Sequence, residues 1–133
     1  MSAVPGGGAG FVASDEDVKG VLDWFERWDA LAVAKDVEAM AEMSMFPVNA
    51  VTDGSAGQWD RERFLRDMAA NLGEGDVQME SVRTPVFINA NLVFVITDAT
   101  ITLGGHSRAV RYGDLLVKTD GKWLFQTMAQ GGW

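Results

Sequence analysis

The chain has no cysteine, one histidine, one tyrosine and three prolines among 133 residues, and each shortage closes a route. Without cysteine there are no disulfides and no thiolate nucleophile, and the redox compartment stays undetermined. With a single histidine besides, a transition-metal site would need carboxylates almost alone, so no metal and no cofactor is expected. Bases are scarce too: 11 Lys and Arg stand against 19 Asp and Glu, giving a net charge of −8. Binding a phosphate backbone takes clustered bases, so nucleic acid is not an expected partner. No apolar run approaches the roughly 18 residues of a membrane span. The N-terminal MSAVPGGGAGFVAS lacks the basic region and long apolar core of a secretory signal, so a cytoplasmic location without membrane contact is the default expectation. Phosphate loop, dinucleotide fingerprint and nucleophile elbow are all missing. Gly6-Gly7-Gly8 lies in the N-terminal segment, outside any strand–helix unit.

What is present is enough for one folded domain. Hydrophobic residues make up 47% of the chain, which excludes a disordered segment, and 133 residues hold one core and not two. Residues 1–13 read as a flexible Gly-rich tail and 14–133 as the domain. Ser14 and Asp17 resemble a capping box, with acids crowding the first turn, and Val18, Val21, Leu22, Phe25, Trp28 and Ala32 follow at helical spacing. A second helix starts at Asp36, carries Val37, Met40 and Ala41, and ends before Pro47. Val48 to Thr52 is a short strand, and residues 53–57 a loop. Asp60 caps a third helix to about Leu72, with Phe64, Leu65 and Met68 on its buried side.

From Val77 the period changes from helical to alternating. Strands are expected over 77–86, 92–103, 106–118 and 122–130, with turns at Asn89-Ala90-Asn91, Gly104-Gly105 and Asp120-Gly121. Pro85 suits an edge or a bulge. Helices first and an antiparallel meander afterwards is the α+β pattern. Charge follows the same division. Residues 1–76 carry 15 acids and 6 bases, while residues 77–133 carry 4 acids and 5 bases. An acidic solvated helix face and a nearly neutral sheet fit a homodimer formed through the sheet.

Two acids stand out. Asp114 shares a strand face with Val110, Tyr112 and Leu116. It is either buried, where it must find hydrogen bonds or a cation or else stay protonated, or it faces solvent and pairs with Arg108 or Arg111. Its register depends on the last hairpin. A two-residue loop puts Thr127 opposite it, and a three-residue loop with a bulge puts Gln126 there; the second arrangement, favoured here, places Leu124, Gln126 and Met128 on the acid's face. Asp53 opens a Gly-rich turn, an ordinary place for Asp, yet two acids in different environments can divide acid and base roles. His106 sits at a hairpin tip and reads as a solvated turn residue. Trp24, Trp28 and Trp59 are apolar bulk first, although an indole N–H can donate inside a cavity.

The order of elements, with KDVEAM, FPVNAVTDG and DLLVKTDGKWLFQ, resembles the nuclear transport factor 2-like superfamily, in its SnoaL-like and ketosteroid isomerase-like branch. The resemblance covers residues 15 to about 130. It implies a cone-shaped α+β fold, three N-terminal helices on a strongly curved antiparallel sheet enclosing a pocket. Carried over residue by residue, it implies Asp53 as base, Asp114 as a proton-donating acid, and Trp28 where those isomerases have a tyrosine. The last is a departure, because the only tyrosine here is Tyr112, on a strand. No Arg–Asp arrangement like that of the limonene epoxide hydrolases is visible, and one histidine is too few to match scytalone dehydratase.

The resulting expectation is cofactor-independent isomerase- or cyclase-type proton transfer on a small hydrophobic carbonyl compound, steroid- or polyketide-like. Asp53, Asp114 and Trp28 would be catalytic, and Phe46, Phe64, Met68, Tyr112 and Met128 would line the pocket. The same cone without chemistry gives two further readings: a hydrophobic-ligand binder, for which seven methionines make an adaptable lining, or a dimeric scaffold with a filled interior.

Overall fold

A computed structural model describes residues 10–132. Three helices, α1 (Asp15–Ala34), α2 (Val37–Glu42) and α3 (Arg61–Leu72), pack against a sheet of six strands. The strands are β1 (Ser44–Thr52), β2 (Ser55–Trp59), β3 (Val77–Asn89), β4 (Leu92–Leu103), β5 (His106–Thr119) and β6 (Lys122–Gln130). Their spatial order is β2-β1-β6-β5-β4-β3, all antiparallel except the β1–β6 pair, and the sheet does not close into a barrel. The Gly-rich stretch assigned to a tail lies outside the described residues as far as residue 9. Within 10–13, Phe11 packs its ring 6.0 Å from Phe87.

The helix ends follow the local chemistry of their sequences. Ser14 and Asp17 form the reciprocal capping box, each side chain taking the other's backbone N–H at 3.0 and 2.9 Å. Asp36 and Asp60 accept N–H groups of Ala39 and Arg63, so each first turn loses one orphan donor. Lys35 ends α1 at φ 59°, and its ammonium donates to the carbonyls of Gly73 and Gly75. That contact ties the end of α1 to the loop after α3.

Three local expectations are corrected. Pro47 does not end α2; the helix stops at Glu42 and Pro47 lies inside β1. The proline is tolerated because β1 pairs regularly with β2 only from Val48, and its pairing with β6 is irregular between Ser44 and Asn49. Residues 55–59 are a strand and not a loop, since only Asp53-Gly54 is needed for the turn, with Thr52 opposite Ser55. This edge strand is exposed except at Trp59, so its sequence carries little apolar alternation. The closing hairpin has a two-residue loop, with Thr119 opposite Lys122 and both Asp120 and Gly121 at positive φ.

A bulge then moves the register. Leu116 faces Phe125 but Leu115 faces Thr127, leaving Gln126 as the extra residue, its amide donating to the Pro47 carbonyl. Asp114 is therefore opposite Met128. Of the three residues expected on its face, only Met128 is there; Phe125 and Trp123, opposite Leu116 and Lys118, take the places given to Gln126 and Leu124. Pro85 lies on the edge strand β3, and that strand shifts register between Phe87 and Asn89.

The core lies between the helices and one face of the sheet. Val21, Phe25, Met40, Ala41 and Phe64 from the helices meet Val48, Val93, Val95, Leu116 and Phe125 from the strands. On the other face, the Phe94 ring covers Gly113, where an added Cβ would come within 2.4 Å of it. No described helix is long and apolar enough to cross a membrane.

Candidate functional site

The register of β3, β4, β5 and β6 lines up cross-strand rows on the helix-facing side. One row is Pro85, Val95, Asp114 and Met128, continued onto β1 by Ala50. The neighbouring row is Arg83, Thr97, Tyr112 and Gln130. An apolar sheet face thus carries an adjoining patch of polar groups, which burial would penalise unless they satisfy one another.

Most of them do. Arg83 reaches across to α1 and grips Asp29 with both terminal nitrogens, Nη1 to one carboxylate oxygen and Nη2 to the other at 3.0 Å. Its Nε donates to the Thr97 hydroxyl at 3.1 Å, and Nη2 also reaches the Tyr112 hydroxyl at 3.3 Å. The guanidinium lies 4.3 Å from the centre of the Phe25 ring, one helical turn before Asp29. Burial works against the Arg83 charge, but the bonds and charge of Asp29 outweigh it and hold the pKa above its ordinary value. Burial likewise pushes the Tyr112 hydroxyl up, with Arg83 pulling it down and Asp114 adding to the rise.

Asp114 differs. It is only 7% exposed, while the one fully buried side-chain oxygen without a partner among the described residues is Thr52 Oγ1. Removal from water raises the Asp114 pKa from 3.8 to about 7; Arg83 opposes the rise, and Asp29 adds to it. The cation beside it is paired with Asp29, so its compensation of Asp114 is only partial. Near neutral pH this group both gives and takes a proton, which suits general acid–base chemistry. Among the described residues no cluster of His, Asp and Glu could hold a metal ion.

The other residues named from sequence divide into two groups. Tyr112 and Met128 lie beside Asp114, one along its strand and one opposite it. Trp28, Phe46 and Phe64 belong to an aromatic cluster: Trp28 stacks on Trp24 at 5.1 Å and lies 5.1 Å from Phe125, and Phe46 meets Phe64 edge-on at 5.5 Å. Met68 packs against that core. Asp53 lies apart from Asp114, exposed at the β1–β2 turn, where its carboxylate accepts the Gly132 N–H at 3.0 Å. Arg111 pairs with Asp98 at 3.0 Å, across β4 and β5, and not with Asp114.

Asp29, Arg83 and Thr97 were not among the residues the sequence suggested. An Arg–Asp pair does exist, but its members are 54 residues apart on different elements. One signal was present: Val21, Phe25 and Asp29 recur every four residues, and the first two are buried. An acid on a buried helical stripe asks for a partner.

The sequence matches no protein-family model and no curated protein. Solved structures do match. Aln2 from a Streptomyces species superposes with a TM-score of 0.76 at 16% identity, over 89% of this chain and 91% of that one. A candidate dehydratase of the NTF2-like family from Streptomyces avermitilis gives 0.75 at 14% identity, over 91% and 99%. A candidate scytalone dehydratase from Novosphingobium aromaticivorans gives 0.68 at 12%, over 85% and 81%. At such identities the likeness speaks to architecture and not to chemistry. The element order, the sheet topology and these superpositions agree that the chain has the nuclear transport factor 2-like fold.

Proposed function

We propose that the protein binds a small hydrophobic carbonyl compound, steroid- or polyketide-like, and catalyses cofactor-independent proton transfer on it, as an isomerase, cyclase or related lyase. The observation that carries this reading is Asp114, a nearly fully buried carboxyl with a pKa of about 7. In its ionised form Asp114 takes the α-proton of the carbonyl compound, and as the neutral acid it delivers that proton to another carbon of the resulting enolate, so the carboxyl ends as it began. Arg83, held by Asp29, and the Tyr112 hydroxyl form the polar frame beside it. The dehydratase names of two structural neighbours support proton-transfer chemistry by analogy alone. Cytoplasmic location completes the reading.

Turnover of Δ5-3-ketosteroids and polyketide-like ketones by wild type, Asp114→Asn and Asp53→Asn tests it. Asp114→Asn should lose about 100-fold or more in rate, the scale of a general acid or oxyanion donor. Asp53→Asn should stay within about threefold, since that carboxylate is engaged at an exposed turn. Full activity in Asp114→Asn would falsify the assignment. Loss of turnover in Asp53→Asn would restore the two-carboxylate mechanism.

A scaffold reading has its own support. Trp28, Phe64 and Phe125 fill the space between helices and sheet with ring contacts, and two open surface grooves, one beside Trp24 and one beside Arg63, do not include Asp114 in their linings. The outward side of β3 also exposes Val82, Val86 and Ile88, each by half or more, a patch suited to a homodimer through the sheet. Sedimentation of wild type and Val86→Lys distinguishes these readings. A dimer that dissociates in the variant, together with no ligand in a thermal-shift screen, would favour the scaffold.

A further inference from the structure

At the hairpin end of the sheet, four residues along β5 from the level of Asp114, an open groove of about 570 Å³ runs between α1, α2 and the start of β6. Its apolar lining residues include Trp24, Met43, Trp123 and Leu124. The Trp24 indole donates to the Trp123 carbonyl at 3.0 Å, which fixes the two aromatic residues relative to each other. Gly20 lies one helical turn before Trp24, inside a 20-residue helix, and a Cβ there would meet nothing within 4 Å. Glycine costs about 1 kcal/mol relative to alanine at such a position, and here it leaves the groove beside Trp24 open.

The charges around this groove are not equivalent. Both of its acids are already engaged with cations outside it, Asp23 with Lys19 at 2.6 Å and Glu42 with Arg61 at 3.2 Å. Its two cations, Arg27 and Lys122, form no ion pair among the described residues. Lys118 adds a third positive charge over the Trp123 ring at 5.6 Å. In a chain of net charge −8, the groove thus holds two cations without an ion pair beside two tryptophans, while Lys118, outside its lining, also acts on Asp17.

We infer that the groove is a second binding site, separate from Asp114, for a small aromatic carboxylate. The ring lies against Trp24 and Trp123, where stacked aromatic surfaces leave water together. The carboxylate meets Arg27 and Lys122, which need no other partner to be displaced first. The volume is within the roughly 300–1,000 Å³ common for small-molecule sites.

Titration of the whole protein with indole-3-acetate, followed by the amide and indole N–H resonances in NMR, tests the site. Saturable shifts are expected at the Trp24 and Trp123 indoles and at Gly20. Tryptamine, with a similar ring and the opposite charge, should bind about tenfold more weakly, equivalent to about 1.4 kcal/mol. Arg27→Glu with Lys122→Glu, both exposed positions, should remove that preference, and Gly20→Leu should block the groove while the fold is kept. Equal binding of the two probes, absence of saturation, or shifts confined to Tyr112 and its neighbours would overturn the inference. A changed oligomeric state in Gly20→Leu without any probe-induced shift in wild type would give the groove to a second copy and overturn it as well. None of these readouts uses turnover, so failure here leaves the Asp114 reading standing.

Discussion

Asp53 and Asp114 are the same residue type in the same sheet, and their surroundings make them different reagents. Asp53 sits at a two-residue turn, exposed to water and bonded to the Gly132 N–H. Asp114 sits mid-strand between Val95 and Met128, largely out of water. A carboxylate that keeps its solvent and gains a donor is a structural clasp. One that loses most of its solvent holds its proton to about pH 7.

The largest expected effect comes from neutralising the buried acid. Asp114 titrates at 3.8 in the unfolded chain and at about 7 in the folded one, so between those values the folded state keeps a proton that the unfolded state has released. Its contribution to stability is intact below about pH 4, declines as the pH rises and is gone above about pH 7. At about 1.4 kcal/mol for each pH unit between the two values, the loss is on the order of 4 kcal/mol. Asp114→Asn should flatten urea-unfolding stability between pH 4 and 7 and be the more stable protein at pH 8. A wild-type profile without that fall would erase the contrast between the two acids.

Next in size is Asp29→Ala. It leaves Arg83, 6% exposed, without its carboxylate, at a cost of about 3 kcal/mol in urea unfolding. The same change should sharpen the comparison. With Asp29 gone, Arg83 acts unopposed on Asp114, whose pKa should fall in a carboxyl-carbon NMR titration, whereas Arg83→Met should raise it. The smallest effect belongs to Asp53→Asn. An exposed hydrogen bond is worth about 1 kcal/mol or less, and the amide oxygen can still accept from Gly132, so the melting temperature should barely move.

The architecture was legible in the sequence because its signals are local. Caps at Ser14, Asp36 and Asp60, helical spacing from Val18, and glycine-bearing turns between alternating strands each act over a few residues. Burial of Asp114 was one of two readings of the same strand pattern. The Asp29–Arg83–Thr97–Tyr112 network was not legible, since it joins α1, β3, β4 and β5 and exists only once the strands are in register. Strand β2 escaped notice because an exposed edge strand needs no apolar alternation. The bulge at Gln126 escaped too, because nothing in a sequence marks which residue of a strand will be left unpaired.

That one unpaired residue decides what Asp114 faces. A straight continuation of the Asp120-Gly121 hairpin would set Thr127 across from it, offering a hydroxyl that both donates and accepts. With Gln126 as slack, β6 arrives half a pleat later and offers the thioether of Met128 instead. The bulge works as a phase shifter in the weave of the sheet, withholding a hydroxyl from a buried acid. Were Gln126 paired with Leu115 instead of left as the bulge, the Thr127 hydroxyl would face the carboxyl.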